Sequence, residues 1–339
     1  MSKSKKDKGL VKSYDIKGNG ILVGDLHLDS YYQGKHIDYS SECYYNLMKI
    51  EQILTEGKSN FLILLGDIIG VNTTNIKDNR MFADIILFFN KYNALTKGHV
   101  YAVKGNHDAG SFTGFDFLCT LGLIKRCDHL DYYNGNNELD VRLHMVDYGD
   151  EERELDIYES ESHDNVLLGH NDYYVDGVTN WYATNLHYEI ANMPNLAEIS
   201  HIISGHIHKP SDEIIYAKNI NGNNIQLIYP GSPSRTFERY EDCHYVLFET
   251  DEDGDINFSL PYFGLQPVKE VFRPNDDFLE EDDMELEKIE SKALKNLVEE
   301  VIEGRIVTNN IYEQIDKFTT VKPEIRRRAK KYLQEAENK

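Results

Sequence analysis

Five short segments of the chain carry side chains that can hold a cation or move a proton. Asp25-Leu26-His27, Gly66-Asp67, Gly105-Asn106-His107-Asp108, Gly169-His170 and Gly205-His206-Ile207-His208 offer carboxylates, an amide oxygen and imidazoles, and no thiolate. Donors of this kind suit manganese, iron or zinc rather than a soft metal. Singly, each has an ordinary explanation: Asp-x-His is a polar loop, Gly-Asp after a strand is a turn, and Asn-His-Asp closes a buried strand. Five in this order point to one centre. In an extended segment residues i and i+2 share a side, so Asp25 and His27 are expected to grip one ion and His206 and His208 to face one cluster. Asp67 can bridge two ions roughly 3.5 to 4 Å apart, the spacing that two-metal phosphoryl-transfer sites require. Gly105 is expected to let the backbone turn sharply before Asn106.

The elements that must position these groups are legible as apolar runs. Ile21-Leu22-Val23 leads into the first segment, Phe61-Leu62-Ile63-Leu64-Leu65 into the second and His99 to Val103 into the third. Helical spacing through Cys43, Leu47, Ile50 and Leu54, and again over Met81 to Tyr92, separates them, so the pattern is βαβαβ with strands buried on both faces. Asn165 to Leu168 and His201 to Ser204 lead into the last two segments, and Val141 to Val146, Ile214 to Ala217, Ile225 to Tyr229 and His244 to Phe248 read as further strands. Asn221-Gly222 and Asp253-Gly254 are hairpin signals. In open α/β sheets ligands bind beyond the carboxyl ends of strands, so groups spread over about 180 residues can converge.

The bulk numbers limit the partners. With 339 residues and 40% apolar composition the chain can bury a large core. A net charge of −22 argues against a protein that coats nucleic acid by itself, because phosphate binding is driven by Lys and Arg. Cysteines at 43, 119, 127 and 243 form no CxxC spacing, which predicts neither a zinc knuckle nor a disulfide framework and fits the cytoplasm. No run approaches the roughly 18 apolar residues of a membrane span, so no membrane partner is expected.

Four regions are expected. Residues 1–18 read as a flexible basic tail, 19–265 as the catalytic domain, 266–290 as an acidic linker or reduced cap, and 291–339 as a helical segment. In the last, Leu294, Leu297, Val298, Val301 and Ile302 form an amphipathic stripe, Ile311, Ile315 and Phe318 a second short one, and Ile325, Ala329, Tyr332 and Leu333 a third, with Arg326 to Arg328, Lys330 and Lys331 around it. These helices either dock on the main domain or bind a partner.

In their order the motifs DLH, GD, GNHD, GH and GHIH resemble the calcineurin-like metallophosphoesterase superfamily over roughly residues 20–250. The resemblance implies an α/β fold, a four-layer α/β/β/α sandwich of two mixed sheets with a C-terminal helical extension, and a site for two divalent metal ions, manganese foremost. It assigns Asp25, His27, Asp67 and His208 to one ion and Asp67, Asn106, His170 and His206 to the other. His107 is then the unligated acid-base residue, oriented by Asp108. The implied chemistry is hydrolysis of a phosphate ester by water that the ions make acidic.

A narrower resemblance rests on Ser204-Gly205-His206-Ile207-His208-Lys209-Pro210 and Tyr229-Pro230-Gly231-Ser232-Pro233-Ser234-Arg235, which look like the bacterial SbcD nuclease and its phage recombination-nuclease relatives. It implies a DNA exonuclease and endonuclease subunit of a repair and recombination complex, a homodimer, paired through residues 291–339 with an SbcC-like ABC-type ATPase carrying a coiled coil. The alternatives are a stand-alone phosphodiesterase for a small nucleotide and a catalytically silent scaffold. The chain departs from the SbcD pattern at Ile68-Ile69-Gly70, where an aromatic and an acidic residue are usual, and Pro261 to Glu300 is too short for a full DNA-contacting cap. DNA affinity is therefore expected to come largely from the ATPase. Tyr31, Tyr32, Lys209 and Arg235 are of a type to touch a DNA backbone, though exposed loop residues are more often simply solvated.

Overall fold

The computed structural model describes residues 12–28, 40–57, 59–69, 79–108, 113–150, 164–175, 187–192, 199–211, 213–219, 222–235, 242–250, 256–271 and 330. The chain divides into two units, Met1–Pro274 and Asn275–Lys339. Apart from Lys330, the expected helices of 291–339 lie outside the described residues, as do residues 272–290, Tyr31, Tyr32 and the Asp253-Gly254 turn.

Three parallel strands, β2 (Gly20–Val23), β3 (Phe61–Leu65) and β4 (Val100–Val103), form the heart of a five-stranded sheet. Helices α1 (Ser40–Glu56) and α2 (Asn79–Leu95) connect them, and α3 (Gly114–Thr120) follows β4. On β3 the two-residue repeat divides the side chains cleanly. Leu62 and Leu64 pack under the helices with Leu47, Ile50, Ile85 and Phe89, whereas Phe61, Ile63 and Leu65 face the second sheet. Each such side chain, fully removed from water, contributes about 1.5–3 kcal/mol. The Tyr92 hydroxyl donates to the Leu47 carbonyl at 2.7 Å and pins α2 to α1.

The second sheet has seven strands. Its members are β1 (Ser13–Ile16), β5 (His129–Tyr133), β6 (Leu139–Val146), β7 (Asp164–Gly169), β10 (Ile199–Ser204), β11 (Ile215–Lys218) and β12 (Asn224–Ile228). They lie in the order β1-β5-β6-β7-β10-β12-β11, and β6, β7, β10 and β12 run parallel. β13 (Val246–Thr250) and β14 (Ile256–Ser259) complete the first sheet in the order β14-β13-β2-β3-β4. Between the sheets Leu130, Leu143, Val166, Leu168 and Ile203 meet the β3 and β4 side chains. A ribbon of β8 (Asp172–Tyr174) and β9 (His187–Glu189) supplies Tyr173, which with Ile190 packs on Val146, Leu167, Ile202 and Leu227 over the outer face. Among the described residues this ribbon and a 3₁₀ turn, not helices, cover that face.

One expectation is corrected at the N-terminus. Residues 13–16 are not tail: β1 pairs in parallel with β5 from Ser13–His129 to Ile16–Tyr132. Tyr14 and Ile16 face the inter-sheet core, and an edge strand with only two inward positions leaves almost no periodic signal. β11 pairs antiparallel with β12 from Ile215–Leu227 to Lys218–Asn224, and the Asn219 amide donates to the Asn223 carbonyl just beyond; Asn221 of the hairpin signal lies outside the described residues. None of the four cysteines is in a disulfide, and no helix among the described residues is long and apolar enough to cross a membrane.

Candidate metal centre

The carboxyl ends of β2, β3, β4, β7 and β10 all lead into site segments. Asp25, His27 and His208 come together as one group, and Asp67, His170 and His206 as another; within each, one donor atom per residue lies within 4.8 Å of the others. Asp67 stands between the groups. Its Oδ2 is 3.6 Å from His27 Nε2 on one side and 3.3 Å from His170 Nε2 on the other. Asn106 belongs to the second group: its Oδ1 is 3.1 Å from His170 Nε2 and 3.0 Å from His206 Nδ1.

The convergence depends on coiled backbone rather than on extended strands. Asp25, His27, Asp67 and His206 all have left-handed φ, between 40° and 75°, at a cost of about 1–2 kcal/mol each. This removes the basis of the i, i+2 expectation. His206 and His208 enter different groups, and Asp25 shares a group with His27 for a different reason than alternation. Gly105 also acts differently from expected. A Cβ there would lie 2.1 Å from Asp67 Oδ1, so the residue is small to let Asp67 approach, whereas Gly66 has φ +89° and supplies the turn.

Backbone contacts orient the rings. The His170 Nδ1–H donates to the Leu65 carbonyl at 2.6 Å, which turns Nε2 toward Asp67. His206 Nε2 lies 3.4 Å from Asp172 Oδ1, leaving Nδ1 for Asn106. For His170, an oxygen held at the remote nitrogen is the usual support of a metal-binding imidazole, whereas the His206–Asp172 approach is close without being a hydrogen bond. Asp25 accepts the His206 amide at 3.0 Å through both oxygens, and Asp67 Oδ1 accepts the His107 amide at 2.8 Å.

Asp108 does not support the His107 ring. Its oxygens accept the amides of Gly105, Ile68 and Ile69 at 3.2–3.4 Å, so the carboxylate ties the GNHD loop to the residues after Asp67. The expected orienting contact is thus replaced by a loop-closing one, because an Asp one residue after His107 sits where it can satisfy buried backbone donors. The His107 ring instead packs edge-on to His27, centroids 5.1 Å apart, with Nε2 4.0 Å from Asp67 Oδ2. Its side chain is 42% exposed, while Asp25, Asp67 and His170 are sealed.

Electrostatics show what the enclosure needs. Burial, offset in part by His170, pushes Asp25 up to about 8. Burial works in the same direction on Asp67, but His170 and His27 outweigh it and hold that carboxyl well below the usual range. His170 is driven the other way: burial opposes its charge, yet Asp67 and Asp25 push it up to about 10. His27 is lowered by burial and by His208, and His208 by burial and by His206 and His170, to about 4. Protons on Asp25 and His170 balance the enclosed charge. Divalent cations fit the same demand and the same oxygen and nitrogen donors, and would take the place of those protons.

Sequence reasoning missed the supporting residues. Asp172 lies two positions after His170, and Tyr148 lies beyond β6, outside any apolar-run motif. Arg235 is corrected: it is fully buried, with Nε 3.2 Å from Glu42 Oε1 and an Nη2–H to the Gln266 carbonyl, and therefore does not meet DNA. The signal for it is Glu42 beside the Cys43 stripe of α1, an acid on an apolar face that requires a partner.

Two adjacent donor groups at the strand ends of stacked sheets make this a metallophosphoesterase-type centre. The family follows from the sequence comparison: a model of the calcineurin-like phosphoesterase family matches residues 21–210, and the chain belongs to that family. Its members carry out metal-dependent phosphoester hydrolysis, typically with two ions. No curated protein sequence matches the chain. Among solved structures, it is similar to the "Putative 5'-Nucleotidase from Staphylococcus aureus" in complex with alpha-ketoglutarate, at 15% identity over 80% of this chain and 57% of that one, with a TM-score of 0.40. The protein TT1561 of Thermus thermophilus is similar at 10% identity, over 72% of this chain and 98% of that one, with a TM-score of 0.42.

Proposed function

We propose that the chain is the metal-dependent nuclease subunit of an SbcCD-like complex that hydrolyses DNA phosphodiesters with two divalent ions, manganese foremost. The observation that carries the hydrolase reading is Asp67 standing between two donor groups beside the exposed His107. Asp25, His27, Asp67 and His208 would hold one ion, and Asp67, Asn106, His170 and His206 the other. The ions, when bound, lower the pKa of water so that it can attack phosphorus. His107 faces the solvent side, where a scissile ester arrives, and protonates the departing oxygen or neutralises its charge, a role typically worth 10²- to 10⁴-fold.

The nuclease reading is supported by the segment Tyr229 to Arg235, whose SbcD-like turn packs beneath the site. The Ser232 hydroxyl lies 2.7 Å from the Asp25 carbonyl, and the Asn46 amide donates to the Pro233 carbonyl and the Ser234 hydroxyl, both at 3.0 Å. With a net charge of −22, DNA affinity is assigned to the ATPase partner, bound through residues 291–339. Cytoplasmic location and dimerisation belong to the same reading.

The test is incubation of the full chain with Mn²⁺ and labelled duplex DNA, alone and with a coiled-coil ATPase. Cleavage stimulated by the ATPase is the expected result, and deletion of residues 291–339 should leave the core chemistry intact while abolishing the stimulation and co-purification. Hydrolysis of cyclic or dinucleotides with intact DNA makes the chain a small-nucleotide phosphodiesterase. No hydrolysis of either by a metal-loaded chain makes it a scaffold. Tight duplex binding by the isolated chain at physiological salt overturns the assignment of DNA affinity to the partner.

A further inference from the structure

Tyr148 is held with more structure than a solvated loop residue needs. It follows the carboxyl end of β6, which runs parallel to β7 and so delivers it to the edge where His170 emerges. Its amide donates to the Lys104 carbonyl at 2.8 Å, and the Lys104 amide donates back to Asp147 Oδ1 at 2.7 Å. Lys104 immediately precedes the GNHD motif. On the other side the Gly149 amide donates to Asn171 Oδ1 at 3.1 Å, and Asn171 immediately follows His170. Residues 147–149 are therefore stitched to both segments that bring ligands to the second donor group.

This pinning sets the phenol ring over that group. The ring centroid lies 5.4 Å from that of His206 and 6.2 Å from that of His170. Tyr148 is half-buried, so it forms part of the rim and not of the core. His107 flanks the site from the other end, 5.1 Å from His27 in the first group. The His107 imidazole thus stands beside the first donor group and the Tyr148 phenol beside the second.

We propose that Tyr148 is a substrate-contacting residue, whose hydroxyl donates a hydrogen bond to a non-bridging oxygen of the phosphoryl group seated between the two donor groups. The inference rests on the phosphoesterase reading of the site. A phenolic O–H is a neutral donor, so it recognises the phosphoryl oxygens without adding charge beside the ions. It also explains the three pinning bonds: a hydrogen bond to an anion repays pre-positioning of the donor, because little freedom is then lost on binding.

The competing role is purely structural, the ring serving as a wall for His206 and His170. Tyr148→Phe separates the two because it keeps the ring and removes only the hydroxyl. The full chain is loaded with Mn²⁺ and titrated with inorganic phosphate by calorimetry, beside metal content, melting temperature and hydrolysis of a phosphodiester. A bond to a charged group is worth about 1.5–3 kcal/mol, so Tyr148→Phe is expected to weaken phosphate binding about 10- to 100-fold and to raise KM, with metal content and melting temperature unchanged. Equal phosphate affinity in wild type and variant overturns the inference and leaves the phosphoesterase reading standing. Loss of metal in Tyr148→Phe overturns it too, because the hydroxyl then serves the metal centre and not the phosphoryl group. A metal-loaded wild type that neither binds phosphate nor hydrolyses any ester removes the phosphoesterase reading, and this inference with it.

Discussion

The Nε2 atoms of His27 and His208 face each other at 3.0 Å, although 181 positions separate them in the chain. Two buried imidazoles so placed share one proton at most, and burial keeps both from taking charge. The fold, not mutual attraction, holds them together, and a cation between them is the partner both nitrogens can accept.

Metal binding should therefore stabilise the chain, by an amount that grows with ion concentration over its dissociation constant. Thermal melts with Mn²⁺ and with EDTA check this, and His208→Ala should retain one ion in place of two. The metal-free chain should lose stability toward both acid and alkali. Toward acid, His27, His206 and His208 resist protons that the unfolded chain takes up, outnumbering Asp25 and Asp108, which each keep one, so stability falls with falling pH. Toward alkali, His170 and Asp25 hold protons up to about 10 and about 8 that the unfolded chain releases, so stability falls with rising pH. Melts in EDTA across pH 4.5 to 9 that rise monotonically would contradict this balance.

His107→Asn should lower turnover about 10²- to 10⁴-fold while both ions stay bound. The ring is exposed and its amide, not its side chain, is what Asp67 Oδ1 accepts, so the loop survives the change. Turnover and metal content measured on the same preparation decide it. Retained activity would return His107 to a structural role.

Asp108→Ala has a different signature. Three amides, of Gly105, Ile68 and Ile69, lose their acceptor in a buried loop, and each unsatisfied group costs about 1–3 kcal/mol. The expected outcome is a lower melting temperature and weakened metal binding together. Loss of turnover at unchanged stability would instead restore Asp108 as a partner of the His107 ring.

These cases show what the chain makes readable. The five site segments stand out because each combines a buried apolar run with a small residue and a donor, and parallel strands force such ends to one edge. The geometry brings Asp25, His27 and His208 into one group and Asp67, His170 and His206 into another. What stays hidden depends on backbone twist and on distant packing. Left-handed φ at Asp25 and His206 defeats any rule based on alternation, and β1 has too few inward positions to register. Tyr148 is supplied by a segment whose local sequence carries no metal-site pattern, and Asp172, though it follows the Gly169-His170 motif, carries no sign that it reaches His206; the β6–β7–β10 pairing brings them to that edge.

Glycine at 205 illustrates a constraint that sequence shows but does not explain. A Cβ there would stand 2.2 Å from the Leu65 carbonyl oxygen, 2.8 Å from His170 Nδ1 and 2.9 Å from Asp25 Oδ2. No flexible tip can yield, because the Leu65 carbonyl is backbone and already accepts the His170 ring. Gly205→Ala should cost at least about 1–3 kcal/mol and disturb both donor groups at once. Loss of both ions at equilibrium dialysis is expected. Wild-type metal content in this variant would mean that the strand ends are looser than the contacts require.

Arg235 offers the last separation, between packing and DNA contact. Its guanidinium is buried against Glu42 and the Gln266 carbonyl, one residue beyond the Ser232-Pro233-Ser234 turn that braces Asp25. Removing one partner of a buried ion pair costs about 3–5 kcal/mol, whereas replacing both by apolar residues of similar volume is often neutral. Arg235→Ala should therefore lower the melting temperature and loosen the Asp25 group, and Arg235→Met with Glu42→Leu should recover most of the stability. A residue that served DNA would behave in the opposite way: Arg235→Ala would leave the melt unchanged and weaken duplex binding, and the second substitution would rescue nothing.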